Sequence, residues 1–125
     1  MTMITLVIVD DRPAVRQGLQ MRLALEEDMQ VVGEAQNGRD ALSAIPHLKP
    51  IVVLMDMEMP EMDGLAAIQT LRSIAPESKV VVLTIHDDET SRRRAYESGA
   101  AGFVCKCAGD EALLNVIRAV VHPAS

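Results

Sequence analysis

The chain has 125 residues and a formal net charge of −6, and 49% of its residues are hydrophobic. This length suits one compact domain, and the hydrophobic fraction excludes an intrinsically disordered chain. The acidic balance argues against direct contact with nucleic acid, because binding to phosphates normally needs a basic face. Since the sequence contains one Phe, one Tyr and no Trp, we expect an aliphatic core.

Five short aliphatic segments predict the strands of a sheet. They cover residues 5–9, 31–35, 51–55, 79–83 and 102–105. The first, third and fourth segments do not alternate polar with apolar residues, which suits strands that are covered on both faces of a parallel sheet. The second and fifth segments are less uniformly apolar, so we expect them nearer the edges.

Apolar residues at helical spacing separate these strands. Pro13 stands at a first helical position, and Pro46 is expected to end or kink the second helix. The third helix is expected to end before Pro76 and the fourth at Gly99, while Asp110 begins the fifth. Strands that alternate with helices in this way predict an α/β fold, a doubly wound five-stranded parallel sheet with helices on both faces.

Polar residues follow the predicted strands at the edge where such sheets bind ligands. Asp10 and Asp11 follow the first strand, Asp56 the third, Thr84 the fourth and Lys106 the fifth. Crowded carboxylates repel one another, and a hard divalent cation such as Mg²⁺ would relieve that repulsion. The lysine ammonium and the threonine hydroxyl could each meet a phosphate oxygen. Because a carboxylate can attack a phosphoryl group to form an acyl phosphate, we interpret Asp56 as a phosphoryl acceptor.

Two cysteines, Cys105 and Cys107, stand two residues apart at the end of the last strand segment. In a continuous strand their Cα atoms would be about 6.6 Å apart, near the upper limit for a disulfide. We therefore expect two thiols. The thiols, the absence of a signal-peptide pattern and the lack of a roughly 20-residue apolar segment predict a cytoplasmic protein with no membrane partner.

The sequence resembles the receiver domains of response regulators, which have a CheY-like fold. Four segments carry the resemblance in order: LVIVDD at 6–11, VLMDMEMPEMDG at 53–64, VLT at 82–84 and GAAGFVCK at 99–106. The resemblance covers almost the whole chain and implies a flavodoxin-like sheet with strand order 2-1-3-4-5. It also implies a receiver domain over residues 1–122, followed by a tail or the start of a linker over 123–125.

The resemblance implies a role for each residue of the predicted site. Asp56 would accept a phosphoryl group from a sensor histidine kinase, and Lys106 and Thr84 would bind the phosphate. Thr84 and Phe103 would form the pair that switches conformation after phosphorylation.

The resemblance also implies a site for Mg²⁺ or Mn²⁺. Asp11 and Asp56 would bind the cation directly, Glu58 through its backbone carbonyl, and Asp10 through water. The only catalysis expected of such a domain is its own metal-dependent phosphorylation and dephosphorylation.

Several positions depart from the common pattern of the family. Ile85 stands where a small residue is usual, so it is expected to slow phosphorylation by small donors, and Glu58 and His86 occupy positions that influence the lifetime of the phosphate. Cys107 stands where proline is frequent in the OmpR type, which favours the LuxR/NarL type. That type implies transcription control through a DNA-binding domain after residue 125, with a homodimer formed on phosphorylation.

Three other functions compete with this interpretation. A phosphatase of the haloacid dehalogenase type would place its nucleophile after the first strand, whereas Asp56 follows the third. An FMN carrier would need a phosphate-binding loop rich in Ser, Thr and Gly after the first strand, which is lacking. A stand-alone or non-phosphorylated receiver that acts as a protein-binding module remains the main alternative.

Overall fold

A five-stranded parallel sheet forms the centre of the protein. The computed structural model describes residues 3–60 and 63–122. The strands are β1 (Ile4–Val9), β2 (Met29–Ala35), β3 (Val52–Asp56), β4 (Lys79–Thr84) and β5 (Gly102–Cys105). The helices are α1 (Pro13–Leu23), α2 (Gly38–Leu48), α3 (Gly64–Ile74), α4 (Glu89–Ser98) and α5 (Asp110–Val121), with a 3₁₀ turn at Lys106–Ala108.

The strands lie in the order β2-β1-β3-β4-β5, so the chain is wound in both directions from β1. All neighbouring strands pair in parallel. The predicted fold class and strand order are therefore confirmed. Only β1, β3 and β4 have neighbours on both sides, which agrees with the more continuous apolar character of their sequences.

The two faces of the sheet carry separate cores. One core packs β-strand residues such as Val53 and Val82 against α2, α3 and α4, with Ile45, Ile68 and Ala95 among the buried helix residues. The other packs the opposite side chains of the same strands against α1 and α5 and includes the residues Leu6, Leu54, Leu23, Leu113 and Ile117. This two-sided burial holds the sheet as a stiff platform, so the residues at its carboxyl edge have defined positions.

Three helices begin at a polar side chain that caps their first turn. Asn37 accepts a hydrogen bond from the Asp40 N–H at the start of α2. Asp63 caps α3 and Asp88 caps α4 in the same way. These caps satisfy backbone N–H groups that have no partner within the helix, so the local sequence sets where each helix begins.

Of the two outcomes expected at Pro46, an end or a kink of the second helix, the end does not occur, because α2 continues to Leu48. Proline removes one backbone donor from the ladder of hydrogen bonds. The next turn still closes, since the Lys49 N–H donates to the Ile45 carbonyl over 2.8 Å. Lys49 then adopts a left-handed conformation with φ of 49°, and the helix stops there.

The prediction of two free thiols is also wrong: Cys105 and Cys107 form a disulfide. The 6.6 Å separation had assumed a continuous strand, but β5 ends at Cys105 and the chain turns into the 3₁₀ segment. The turn brings the two Cα atoms to 5.1 Å, well within the range that a disulfide can bridge.

None of the helices in the described part of the chain has the length and apolar character needed to span a bilayer. The predicted tail or linker at 123–125 lies outside the described residues, as do positions 61 and 62 of the acceptor segment.

Candidate functional site

The carboxyl ends of β1, β3, β4 and β5 meet at one edge of the sheet and bring the predicted site residues together. Asp56 is the last residue of β3 and is 1% exposed. The Met57 N–H donates to the Leu83 carbonyl, which extends the pairing of β3 with β4 by one residue past the aspartate. The position of the Asp56 carboxylate is therefore set by the sheet.

Asp56 uses its two oxygens differently. Its Oδ1 accepts hydrogen bonds from Lys106 Nζ at 2.6 Å and from the Glu58 N–H at 3.0 Å. Its Oδ2 is buried and has no hydrogen-bond partner among the described residues. A buried carboxylate oxygen without a hydrogen bond is unfavourable, so a bound metal cation or a new bond at this atom would stabilise the site.

Asp10, Asp11 and Asp56 form a cluster in which one carboxylate oxygen of each lies within 4.8 Å of the others. Asp10 is 1% exposed and Asp11 is exposed. Like Asp56, Asp10 has a buried oxygen, Oδ2, with no partner in the described part of the chain. Two unpartnered carboxylate oxygens in an all-oxygen cluster fit a divalent cation of the Mg²⁺ type, which binds such oxygens at about 2.1 Å.

Burial raises the pKa of Asp10 above its usual value of 3.8, and the nearby charge of Asp56 acts in the same direction. The hydrogen bond that Asp10 Oδ1 accepts from the Arg12 N–H, at 2.8 Å, opposes this shift. The ionised form of Asp10 is thus disfavoured in the folded chain when no cation is bound.

The side chain of Glu58 reaches back across the site to β4. Its carboxylate accepts hydrogen bonds from Thr84 Oγ1 at 3.0 Å and from the Ile85 N–H at 2.8 Å. Glu58 Oε1 also lies 3.5 Å from Lys106 Nζ. Glu58 thereby binds the hydroxyl, amide and ammonium donors beside Asp56, a contact that the sequence did not predict.

The two residues of the predicted switch pair lie on adjacent strands. Thr84 is 3% exposed, and besides donating to Glu58 its Oγ1 accepts a hydrogen bond from the His86 N–H. Phe103 is 7% exposed, and its ring lies in the core formed with α4. A cavity of about 240 Å³ is lined by both residues together with Glu58 and Ala95.

Ile85 and His86, the other two residues predicted to modulate the site, both have exposed side chains. Ile85 is 62% exposed, and its structural contact with the site is the backbone hydrogen bond to Glu58. His86 contacts the site through its own N–H to Thr84.

Two arginines near the site were not singled out by the sequence. The Arg12 guanidinium lies 3.8 Å from Asp56 Oδ2 and 3.6 Å from Asp10 Oδ1, so it adds positive charge to the acidic cluster. Its place directly after Asp10 and Asp11, at a strand end, was the available signal. Arg92 lies 5.1 Å over the Phe103 ring and pairs with Asp87. Its contact with Phe103 has no signal in the sequence, because only the fold places α4 beside β5.

Residues 6–118 match the family described as "Response regulator receiver domain". The chain belongs to this family. Receiver domains of this family are typically signalling modules of two-component response regulators. The cluster of Asp10, Asp11 and Asp56 is the acidic pocket of such a domain.

The relatives of this receiver are regulators of the LuxR/NarL type. It is 43% identical over 118 residues to the response regulator GacA of Pseudomonas aeruginosa, covering 94% of this chain and 55% of that protein. It is 40% identical to the oxygen regulatory protein NreC of Staphylococcus haemolyticus, covering 92% and 54%. Among solved structures, the receiver domain of NarL from Mycobacterium tuberculosis is 32% identical with a TM-score of 0.82, covering 94% and 98%. The chain spans about half the length of these curated relatives.

We expect Asp10→Asn to raise the thermal unfolding midpoint of this receiver at pH 7 without divalent cations. Because the pKa of Asp10 is raised on folding, its contribution is favourable below pH 3.8 and is lost as the pH rises through the folded-state pKa. Removing the buried charge should therefore add roughly 1 kcal/mol of stability at neutral pH. Calorimetry with and without Mg²⁺ measures this.

Mg²⁺ should raise the midpoint of the wild type more than that of the variant. Glu77→Gln, which removes an exposed acid outside the site, serves as the control and should behave as the wild type. A midpoint of Asp10→Asn at or below that of the wild type in the absence of cations contradicts the prediction.

Proposed function

We propose that this chain accepts a phosphoryl group on Asp56 from a sensor histidine kinase, in a Mg²⁺-dependent reaction, and changes conformation in response. The proposal rests on the surroundings of the Asp56 carboxylate. Its carboxylate is buried, held by Lys106 at 2.6 Å, and surrounded by a second and a third carboxylate.

The reaction needs a positioned nucleophile. An Asp56 oxygen attacks phosphorus, the new O–P bond forms as the P–N bond to the kinase histidine breaks, and the electron pair of that bond goes to the imidazole. The hydrogen bonds from Lys106 and from the Glu58 N–H fix Oδ1, so the carboxylate cannot rotate freely. Positioning of this kind supplies a large part of the acceleration in phosphoryl transfer.

Charge on the transferring group must also be neutralised. Lys106 provides an ammonium group next to Asp56, and Arg12 provides a guanidinium 3.8 Å from the other oxygen. A divalent cation would supply further positive charge, held by Asp11, by Asp56, by the backbone carbonyl of Glu58, and by Asp10 through water.

Phosphorylation would act on the contact between Glu58 and Thr84. The phosphoryl group adds nearly two negative charges beside the Glu58 carboxylate, which currently accepts the Thr84 hydroxyl hydrogen bond. Repulsion would displace Glu58 and free Thr84 to donate to a phosphate oxygen. Thr84 borders the same 240 Å³ cavity as Phe103, so its movement would change the packing of the Phe103 ring against α4.

The wider function follows from the relatives, which are regulators of about twice this length. We infer a cytoplasmic receiver over residues 1–122, with residues 123–125 leading towards a DNA-binding domain that controls transcription. Phosphorylation would favour a homodimer, and DNA would be contacted by that second domain rather than by this acidic one. Beyond its own phosphorylation and dephosphorylation, the domain would catalyse no reaction.

A receiver that binds partners without phosphorylation is the alternative. The existing contact between Glu58 and both Thr84 and Ile85 favours it, because an internal carboxylate already satisfies these donors. The two unpartnered oxygens of Asp10 and Asp56 weigh against it, since a purely structural site would pair them.

Incubation with acetyl phosphate and Mg²⁺ should add one phosphoryl group to the wild type, and Asp56→Asn should abolish the addition. Intact-protein mass spectrometry measures the increase, and chelation of the metal should prevent it. Asp63→Asn is a matched control, because asparagine also caps a helix and the labelling should persist. Absence of labelling in a folded, Mg²⁺-binding wild type would instead support the binding module.

Glu58→Gln should speed this labelling by about threefold or more, since it removes a charge close to the incoming phosphate. The glutamine carbonyl can still accept the hydrogen bond from the Ile85 N–H, and its NH2 group can donate to Thr84 Oγ1 in place of the lost bond, so the loop should keep its position. Initial rates at low ionic strength measure the effect. A rate for Glu58→Gln equal to that of the wild type would mean that Glu58 does not hinder the phosphate.

Ile85→Ala should also be labelled faster by acetyl phosphate if the side chain restricts access to Asp56. Because Ile85 is 62% exposed, the effect should be confined to about twofold to threefold. Equal initial rates for the variant and the wild type would remove Ile85 from the residues that modulate the site.

A further inference from the structure

The disulfide between Cys105 and Cys107 encloses the lysine of the proposed phosphorylation site. Lys106 is the one residue between the two cysteines, and its ammonium contacts Asp56 Oδ1 at 2.6 Å. The cross-link lies at the point where β5 ends and the 3₁₀ turn begins. The residues directly before and after Lys106 are thus joined by a covalent bond that thiols can break and re-form.

We propose that Cys105 and Cys107 form a thiol–disulfide exchange site for low-molecular-weight thiols and their disulfides, and that the cross-link positions Lys106 for phosphorylation. The second half of this inference rests on the proposed function, whereas the exchange itself does not. Nothing in the phosphorylation chemistry requires either cysteine.

The two sulfurs differ in access. Cys105 is 6% exposed and belongs to β5, where it pairs in register with Thr84 of β4. Cys107 is exposed in the 3₁₀ turn. An external thiol therefore meets the Cys107 sulfur first, while Cys105 is the buried partner that leaves. Exchange requires such access to one sulfur, and exposed disulfides are the labile ones.

Reduction of the protein disulfide consumes two small thiols, one in each of two steps. The thiolate of the first attacks the Cys107 sulfur, the Cys105–Cys107 bond breaks, and Cys105 leaves as a thiolate that takes up a proton. A second thiolate attacks the external sulfur of the mixed disulfide and releases Cys107. Overall, the protein disulfide is reduced to two thiols and two small thiols are oxidised to one small disulfide. The reverse reaction uses that small disulfide as the oxidant.

The cross-link restricts the backbone on both sides of Lys106. With the disulfide in place, the Cys107 N–H donates to Cys105 Sγ at 3.2 Å, and the turn is closed. Beyond the turn, Gly109 has a φ of 87°, a conformation that favours glycine and lets the chain change direction before α5. Reduction leaves Cys105 anchored in β5 but releases the segment from Lys106 to Gly109. The ammonium of Lys106 would then be held against Asp56 less often.

This arrangement gives the site a second input. Disulfides in a reducing compartment are usually transient or redox-sensing, and the proposed cytoplasmic location makes a permanent structural cross-link unexpected. The oxidised receiver would be the form competent for rapid phosphorylation. The reduced receiver would keep the same fold, since neither core includes a residue of the 3₁₀ turn at Lys106–Ala108.

Alkylation across glutathione redox buffers tests the exchange site. The intact protein should pass from two alkylated cysteines to none with a single midpoint. Cys107→Ser should keep one alkylatable cysteine throughout, and Ala108→Ser, a small change at the next exposed position, should follow the wild type. Two thiols in every buffer, or a disulfide that no buffer reduces, would overturn the exchange site.

Initial rates of acetyl phosphate labelling test the coupling to Lys106. The oxidised wild type should be labelled at least about threefold faster than the reduced protein, against the 100-fold that a 1 Å misplacement at a reacting centre can cause. Cys107→Ser should match the reduced wild type in both buffers, which controls for effects of the buffer itself. Equal rates in the two redox states would overturn the coupling.

The experiments distinguish a failure of the proposed phosphorylation from a failure of the proposed exchange site. If neither redox state is labelled on Asp56, phosphorylation is refuted while the alkylation midpoint still decides the exchange site. In that case the Lys106 and Thr84 amide signals of ¹⁵N-labelled protein decide the coupling. Both signals should shift between the oxidised and reduced forms, and unchanged signals would overturn it.

Discussion

The buried carboxylate of Asp56 is the charge on which the arrangement of this receiver's site depends. A carboxylate that is 1% exposed is tolerable only with donors or cations around it, and the site supplies Lys106, the Glu58 N–H and the Arg12 guanidinium. These groups come from three different strand ends. The parallel sheet is what brings them together, because all its carboxyl ends lie on one edge.

The acidic neighbours of Asp56 destabilise its negative charge, whereas the donors stabilise it. Asp10 is buried with one unpartnered oxygen, and its pKa is raised by that burial. The folded chain thus holds a locally unfavourable group at the edge of an otherwise well-packed sheet. Such groups are typical of functional sites rather than of structural ones. A cation that neutralises the buried charge removes its unfavourable free energy, and this gain strengthens the binding of the cation. The same reasoning applies to Glu58, whose carboxylate accepts the donors that a phosphoryl group would need.

The predictions made from the sequence show where local patterns are sufficient and where they are not. The continuous aliphatic character of β1, β3 and β4 identified the central strands. Asp56, Thr84 and Lys106, at the ends of β3, β4 and β5, lie at one edge of the sheet as expected. The second helix does not end at Pro46, one of the two outcomes expected there, because one lost hydrogen bond at the last turn is too small a penalty to stop a helix whose other side packs on the core. The thiol prediction failed because a disulfide depends on the local path of the chain, which turned at Cys105.

By itself the sequence determined the α/β fold class and the acidic residues at the strand ends, because these follow from periodicity and from residue type, while its resemblance to receiver domains implied the family and the strand order. Only the tertiary structure decided which groups contact those residues. Glu58 contacts Thr84 across 26 positions, Arg92 covers Phe103, and a cross-link encloses Lys106. Such contacts depend on side-chain direction and on distances between separate strands. Neither of these has a signature in a one-dimensional pattern of residue types.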